Sequence, residues 1–161
     1  MTARSRLAIA ATLLLVLVVA GVVGRTALAA AARGPAIEIT IIHASSSDGG
    51  ASIDPLLADL PQLTREQPFV RYNVYKVLER KEVPLTLGKP AANALPNGRT
   101  LQVTLVDHGD RLFHVRAEIG EPGKKAFLKL LEVTASGNEP FFVGGQSYEG
   151  GTLFLELVVR P

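Results

Sequence analysis

RTLQVTLVDHGDRLFHVRAEI, residues 99–119, is the stretch on which the fold turns. Leu101, Val103 and Leu105 alternate with Thr100, Gln102 and Thr104. Phe113, Val115, Ala117 and Ile119 alternate with His114, Arg116 and Glu118. A period of two gives each segment one apolar and one polar face, as in a half-buried antiparallel strand. A short His108-Gly109 loop would oppose Val103 to His114 and mix core with solvent. A loop of Asp107-His108-Gly109 opposes Val103 to Phe113 and Leu101 to Val115. It also places Gly109 third, where such loops use a left-handed residue. The second register is the one the sequence predicts.

Strand patterns continue on both sides of this hairpin. Downstream, Glu121-Pro122-Gly123-Lys124 suits a type II turn. AFLKLLEVTA (126–135) is apolar on both faces, and close turn signals make it a strand. Ser136-Gly137-Asn138 leads into a strand at 139–143, GGQSYEGG (144–151) reads as a flexible loop, and TLFLELVV (152–159) is the last strand. Upstream, AIEITIIH (36–43) is the first strand and HASSSDGGAS (43–52) a loop. PFVRYNVYKVL (68–78) is dense in β-branched and aromatic residues and reads as a strand. Residues 83–87 give a short edge strand marked by Pro84, and 88–99 a loop.

IDPLLADLPQLTRE (53–66) carries the helical signal. Asp54 fits an N-cap and Pro55 the first helical position. Leu56, Leu57, Leu60 and Leu63 repeat at helical spacing, and Pro61 should end the helix near Leu60. Its expected role is to plug the sheet. The predicted fold is all-β: an antiparallel β-sandwich of about eight strands with one short helix, a small barrel being the alternative.

The N-terminus has the layout of an export signal. Arg4 and Arg6 precede an uncharged apolar run at 7–23, and Ala27-Leu28-Ala29 forms a small-x-small cleavage pattern. Residues 1–29 are thus expected to be a signal peptide or an uncleaved inner-membrane anchor through 7–23, followed by a linker at 30–35 and the sandwich at 36–161. Both readings export the domain to the periplasm or beyond. Membrane contact is expected only through the N-terminal segment, where it is retained. With no cysteine in the chain, lipid acylation, disulfides and thiolate metal sites are excluded.

Charge points away from nucleic acid. The 17 Lys+Arg and 15 Asp+Glu include Arg4, Arg6 and Arg25 before the expected cut and no acid there, so the remainder carries 14 − 15 = −1. No basic stripe is interleaved with aromatics.

LPNGRTLQVTL, the Asp110-Arg111 strand start, FFVGG and the Y-x-G-G of Tyr148–Gly151 together resemble a group of small exported bacterial envelope proteins without an assigned activity. FFVGG is also similar to the Gly-Gly turn near the sheet of secretin-type outer-membrane subunits. The resemblance covers the last third to half of the chain and implies an envelope setting. It assigns no activity, cofactor or site residue.

Catalytic constellations are not legible. His43, His108 and His114 show no H-x-H or H-x3-H spacing. In the predicted hairpin His114 stands four residues along the strand from Asp110, roughly 13 Å from the turn. Asp107, His108 and Asp110 lack the calcium-loop pattern. Ser45-Ser46-Ser47 has no G-x-S-x-G elbow. The Gly-Gly pairs open no helix and cannot be phosphate loops. No catalytic, cofactor-binding or metal residue is therefore named. The expectation is a non-enzymatic envelope module that binds or braces another envelope protein, with Arg71, Tyr72 and Tyr75 as contact residues, since arginine and amphipathic aromatics suit interfaces. The rival is a secreted hydrolase or carbohydrate-acting enzyme using Asp48, Asp54 or His43.

Overall fold

The computed structural model describes residues 34–161; the apolar run 7–23 and the cleavage pattern lie outside them. The described residues form nine strands in two sheets. In chain order these are β1 (Ala36–Ser45), β2 (Ser52–Ile53), β3 (Val74–Pro84), β4 (Pro90–Ala94), β5 (Thr100–His108), β6 (Leu112–Gly120), β7 (Phe127–Ser136), β8 (Pro140–Tyr148) and β9 (Gly151–Arg160). One sheet has the order β2-β3-β1-β9-β8 and the other β4-β5-β6-β7. All strand pairs are antiparallel except β2–β3.

The sheets face each other across one core. Ile37, Ile39 and Ile41 of β1 and Leu153, Leu155, Leu157 and Val159 of β9 meet Leu101, Val103, Leu105, Phe113, Val115, Ala117 and Ile119 of β5 and β6. This is the all-β sandwich. β1 and β9 are its inner pair, which explains why TLFLELVV is apolar on both faces: residues 153–159 are all buried. A sheet with apolar side chains on both faces needs a second cover, and the segment between β2 and β3 supplies it.

That cover is less helical than predicted. Pro55–Leu57 is a 3-10 turn, and the Asp54 side chain accepts from the Leu56 N–H at 3.0 Å. The expected cap is correct. The chain leaves the 3-10 turn after Leu57. Pro61, expected to end a helix, instead stands at the N-cap of a single α-turn, α1 (Gln62–Arg65), its carbonyl accepting from the Thr64 N–H at 3.2 Å. A further 3-10 turn, Phe69–Arg71, follows. Leu57, Leu60, Leu63 and Phe69 pack with Ile42, Ala44, Tyr75 and Phe154 on the outer face of the five-stranded sheet. Leu56 instead faces solvent at 57% exposure, because a 3-10 turn does not hold the 3.6-residue stripe.

The predicted hairpin register is wrong. Leu101 lies opposite Ile119, Val103 opposite Ala117 and Leu105 opposite Val115, with a bulge at Val106 before Asp107 meets His114 and His108 meets Phe113. The partner of Val103 is thus four residues beyond Phe113. The buried faces are those predicted. Period-2 patterning fixes which side chains share a face and leaves any even shift equally acceptable. The turn lies at Gly109–Leu112, closed by the Gly109 N–H on the Leu112 carbonyl at 2.9 Å.

Three further boundaries move. β3 takes in only Val83 and Pro84 of the expected 83–87 edge strand, Thr86 and Leu87 making isolated bridges, and Phe69–Arg71 drops out of the expected 68–78 strand. β4 occupies part of the expected 88–99 loop, since PAANA pairs with β5 despite lacking β-branched residues. β8 runs on through Gly144-Gly145, which form a bulge, Gly145 having φ of 95°.

Candidate functional site

The contact residues named from sequence lie where the covering segment rejoins β3. Tyr75, the second residue of β3, is buried, and its hydroxyl donates to the Phe69 carbonyl at 2.5 Å. Burial and the neighbouring Tyr72 push this phenol up to about 12. Tyr72 is half-buried, its hydroxyl 2.8 Å from Thr152 Oγ1 and its ring edge-on to Phe154 at 5.9 Å. The Arg71 side chain is exposed, and its backbone carbonyl accepts from Ser46 Oγ at 3.3 Å.

Beside these residues is an apolar notch of about 160 Å3, lined chiefly by Ala51, Ile53, Leu63, Val70, Tyr72 and Tyr75. Ile53 and Val70 on its rim are 37% and 41% exposed. β2 forms one wall and is also the end strand of its sheet. The Ser52 and Asp54 N–H groups bond to the Asn73 and Tyr75 carbonyls at the start of β3, so the Ile53 backbone N–H and C=O point the other way, off the sheet edge. The arrangement offers a short backbone edge and an apolar socket, with the exposed Arg71 between the lining residues Val70 and Tyr72 in the chain.

The Ser/Gly-rich loop has other work. Ser47 N–H donates to Asn73 Oδ1 at 2.8 Å, Asn73 Nδ2 donates back to the Ser47 carbonyl at 2.7 Å, and Ser47 Oγ accepts from Gly49 N–H at 3.1 Å. Asp54 caps its turn and also receives the Val77 N–H at 3.3 Å. His43 sits near the far end of β1 against Tyr148, ring centroids 5.4 Å apart. Asp48 is exposed in the loop. Asp54 and His43, two residues of the hydrolase reading, are thus held by different neighbours.

The corrected register also changes the spacing of the other two histidines. His114 lies opposite Asp107 and so next to His108, not roughly 13 Å from the turn as the predicted hairpin required. The pleat separates the imidazoles instead. His108 is paired with Phe113 and stacks on its ring at 6.0 Å, while His114 lies on the opposite face, 3.1 Å from Glu132.

Several groups gave no sequence signal. Glu156 is buried on the outer face of the five-stranded sheet, 3.7 Å from Arg80, which also donates to Thr40 at 3.1 Å. Asn93 is buried in β4 with neither amide atom bonded to protein among the described residues. An open hollow of about 720 Å3 lies among the hairpin tips, between Asp110–Leu112 and Ser136–Glu139. Its lining is turn backbone with charged side chains of both signs. These residues become neighbours only when the β5–β6 and β7–β8 connections meet at one end of the sandwich, which local patterning cannot reveal.

No protein-family model matches the chain, and neither a curated protein nor a solved structure matches it.

Proposed function

We infer that this chain is a non-enzymatic β-sandwich module of the bacterial cell envelope that binds or braces another envelope protein. The observation that carries the reading is the notch between β2 and the covering segment. There exposed Ile53 and Val70 surround an apolar socket at an open sheet edge, with Tyr72 in its wall and Arg71 beside it. Aromatic residues and arginine are the side chains that most often anchor interfaces, and an unpaired strand edge accepts an extended segment. The export signal in the sequence supplies the compartment. The partner would seat an apolar side chain in the notch and a carboxylate on Arg71.

A photo-crosslinking residue placed at Arg71 or Val70 of the full chain tests this in cells, with the same residue at exposed Lys125 as control. The expected result is one defined adduct with an envelope protein from positions 70 and 71, absent from 125 and lost on Ile53→Asp. Equal labelling from all three positions would reject this face. Protease shaving of intact spheroplasts tests the compartment separately: a cytoplasmic, protected domain would reject the envelope setting.

A further inference from the structure

β7 ends the four-stranded sheet, and it differs from the other end strands among the described residues. β8 opens on Pro140 and is bent by a bulge at Gly144-Gly145, β4 opens on Pro90, and β2 is two residues long. Proline, bulges and shortness are the usual ways of keeping a sheet edge from pairing. β7 is ten residues long and contains no proline. Its one irregularity is an extra residue, Leu130, between Lys129, which pairs with Glu118, and Leu131, which pairs with Ala117.

That extra residue makes the strand symmetrical. Cross-strand partners share a face. Lys129 and Glu132 lie with Glu118 and Arg116 on the outer face, as do Phe127 with Gly120 and Thr134 with His114. Leu128, Leu131 and Val133 lie with Ile119, Ala117 and Val115 on the inner face, and Leu130 packs into the core there as well. From Phe127 to Thr134 the faces therefore run outer, inner, outer, inner, then inner, outer, inner, outer. The order reads the same from either end. A regular strand pairing with itself about a two-fold axis must match residues of equal parity. The bulge allows the axis to fall between Leu130 and Leu131 instead.

We propose that β7 is a self-association edge, and that a second copy of this chain pairs with it antiparallel about an axis between Leu130 and Leu131. In that register Lys129 stands opposite the second copy's Glu132, and the reverse pair forms on the other side of the axis. Leu128 stands opposite the second copy's Val133. Leu128 is 57% exposed, and Leu130, Leu131 and Val133 are half-buried, so this row has apolar surface left to cover. A lysine in mid-edge normally repels a second strand. Here Lys129 is bonded to Glu132 of its own chain, and in the matched register each of the two also stands opposite its counterpart in the second copy, so a lysine faces a carboxylate and not another lysine. The interface is isologous and closes as a dimer of two four-stranded sheets.

The absence of cysteine makes the test direct. Two differently tagged full-length chains, one Lys129→Cys and the other Glu132→Cys, are co-expressed and oxidised in cells. Directly opposed residues lie within disulfide reach, whereas Lys129 and its own copy do not. The expected product is a disulfide-linked dimer carrying both tags, at least about ten-fold over either same-tag dimer, given the roughly 7 Å limit between Cα atoms. No mixed dimer, or same-tag dimers in equal amount, overturns the proposal. In light scattering of the purified full chain, Lys129→Glu should abolish the dimer and Lys129→Glu with Glu132→Lys should restore it. A double variant that unfolds at the parent's temperature yet stays monomeric also overturns it.

Discussion

Tyr75 donates its hydroxyl proton to the Phe69 carbonyl at 2.5 Å, and this bond ties the covering segment to β3. Both residues are buried, so water cannot replace either partner. Tyr75→Phe keeps the ring and removes this bond, while the Phe69 carbonyl still accepts from the Tyr72 N–H at 2.9 Å, so the change should cost about 0.5–1.5 kcal/mol in urea unfolding. Because burial pushes the phenol up to about 12 from 10.0, folding favours its protonated form. That contribution is complete below 10.0 and is lost as pH rises through about 12. The wild-type stability should therefore fall across this alkaline range more steeply than that of Tyr75→Phe. Parallel curves would remove Tyr75 from the account.

The hairpin yields a second prediction. Phe113 is 2% exposed, so Phe113→Ala should cost about 3–5 kcal/mol. Burial does not by itself distinguish registers, because Phe113 faces the core in either one. The distinguishing measurement is a cross-strand proton contact by NMR between Val103 and Ala117, and between Leu101 and Ile119. Contacts from Val103 to Phe113 would restore the register rejected above.

Particular residues show where sequence reasoning works. The apolar faces of β5 and β6 and the Asp54 cap are legible because local periodicity and capping chemistry fix them, and the strand at 126–135 because turn signals bound it closely on both sides. The offset of Val103 from Phe113 is not, since the bulge at Val106 leaves no mark on an alternating pattern. β4 is hidden because Pro-Ala-Ala-Asn-Ala takes its strand conformation from pairing with β5, not from its own propensity. Tyr72 and Tyr75 are recognisable as a pair of amphipathic aromatics. The notch beside them is not, because Ala51 and Ile53 join Leu63 and Val70 only when β2 pairs with β3.

Glu132 gives an acid-side prediction. Hydrogen bonds from Lys129 and then Arg116 hold its carboxyl at about 2, below the ordinary 4.5. A depressed carboxylate stabilises the fold above its ordinary value and loses that contribution as pH falls toward its folded value. Wild-type stability should decline between 4.5 and about 2, and Glu132→Gln should flatten that decline. The effect is small because the site is exposed and screened by salt. An unchanged acid slope in Glu132→Gln would assign the decline to other carboxylates.

Gly151 supports the last prediction. It opens β9 directly after the Glu149-Gly150 turn, where β9 begins to pair with the end of β1. A Cβ at this position would collide with the Ala44 carbonyl oxygen and lie 2.6 Å from His43 Nε2. The first obstacle is backbone in the central strand β1, which cannot move without disturbing its pairing with both β3 and β9. Gly151→Ala should therefore cost about 1–3 kcal/mol or more, as overpacking does. Gly49→Ala is the control, because its Cβ would meet only Ser47 Oγ at 3.4 Å in an exposed loop, and it should fall within about 0.5 kcal/mol of wild type. Comparing urea midpoints of the two variants measures the difference. Equal midpoints would mean that β1 and β9 do not approach each other as closely here as the Ala44–Gly151 packing requires.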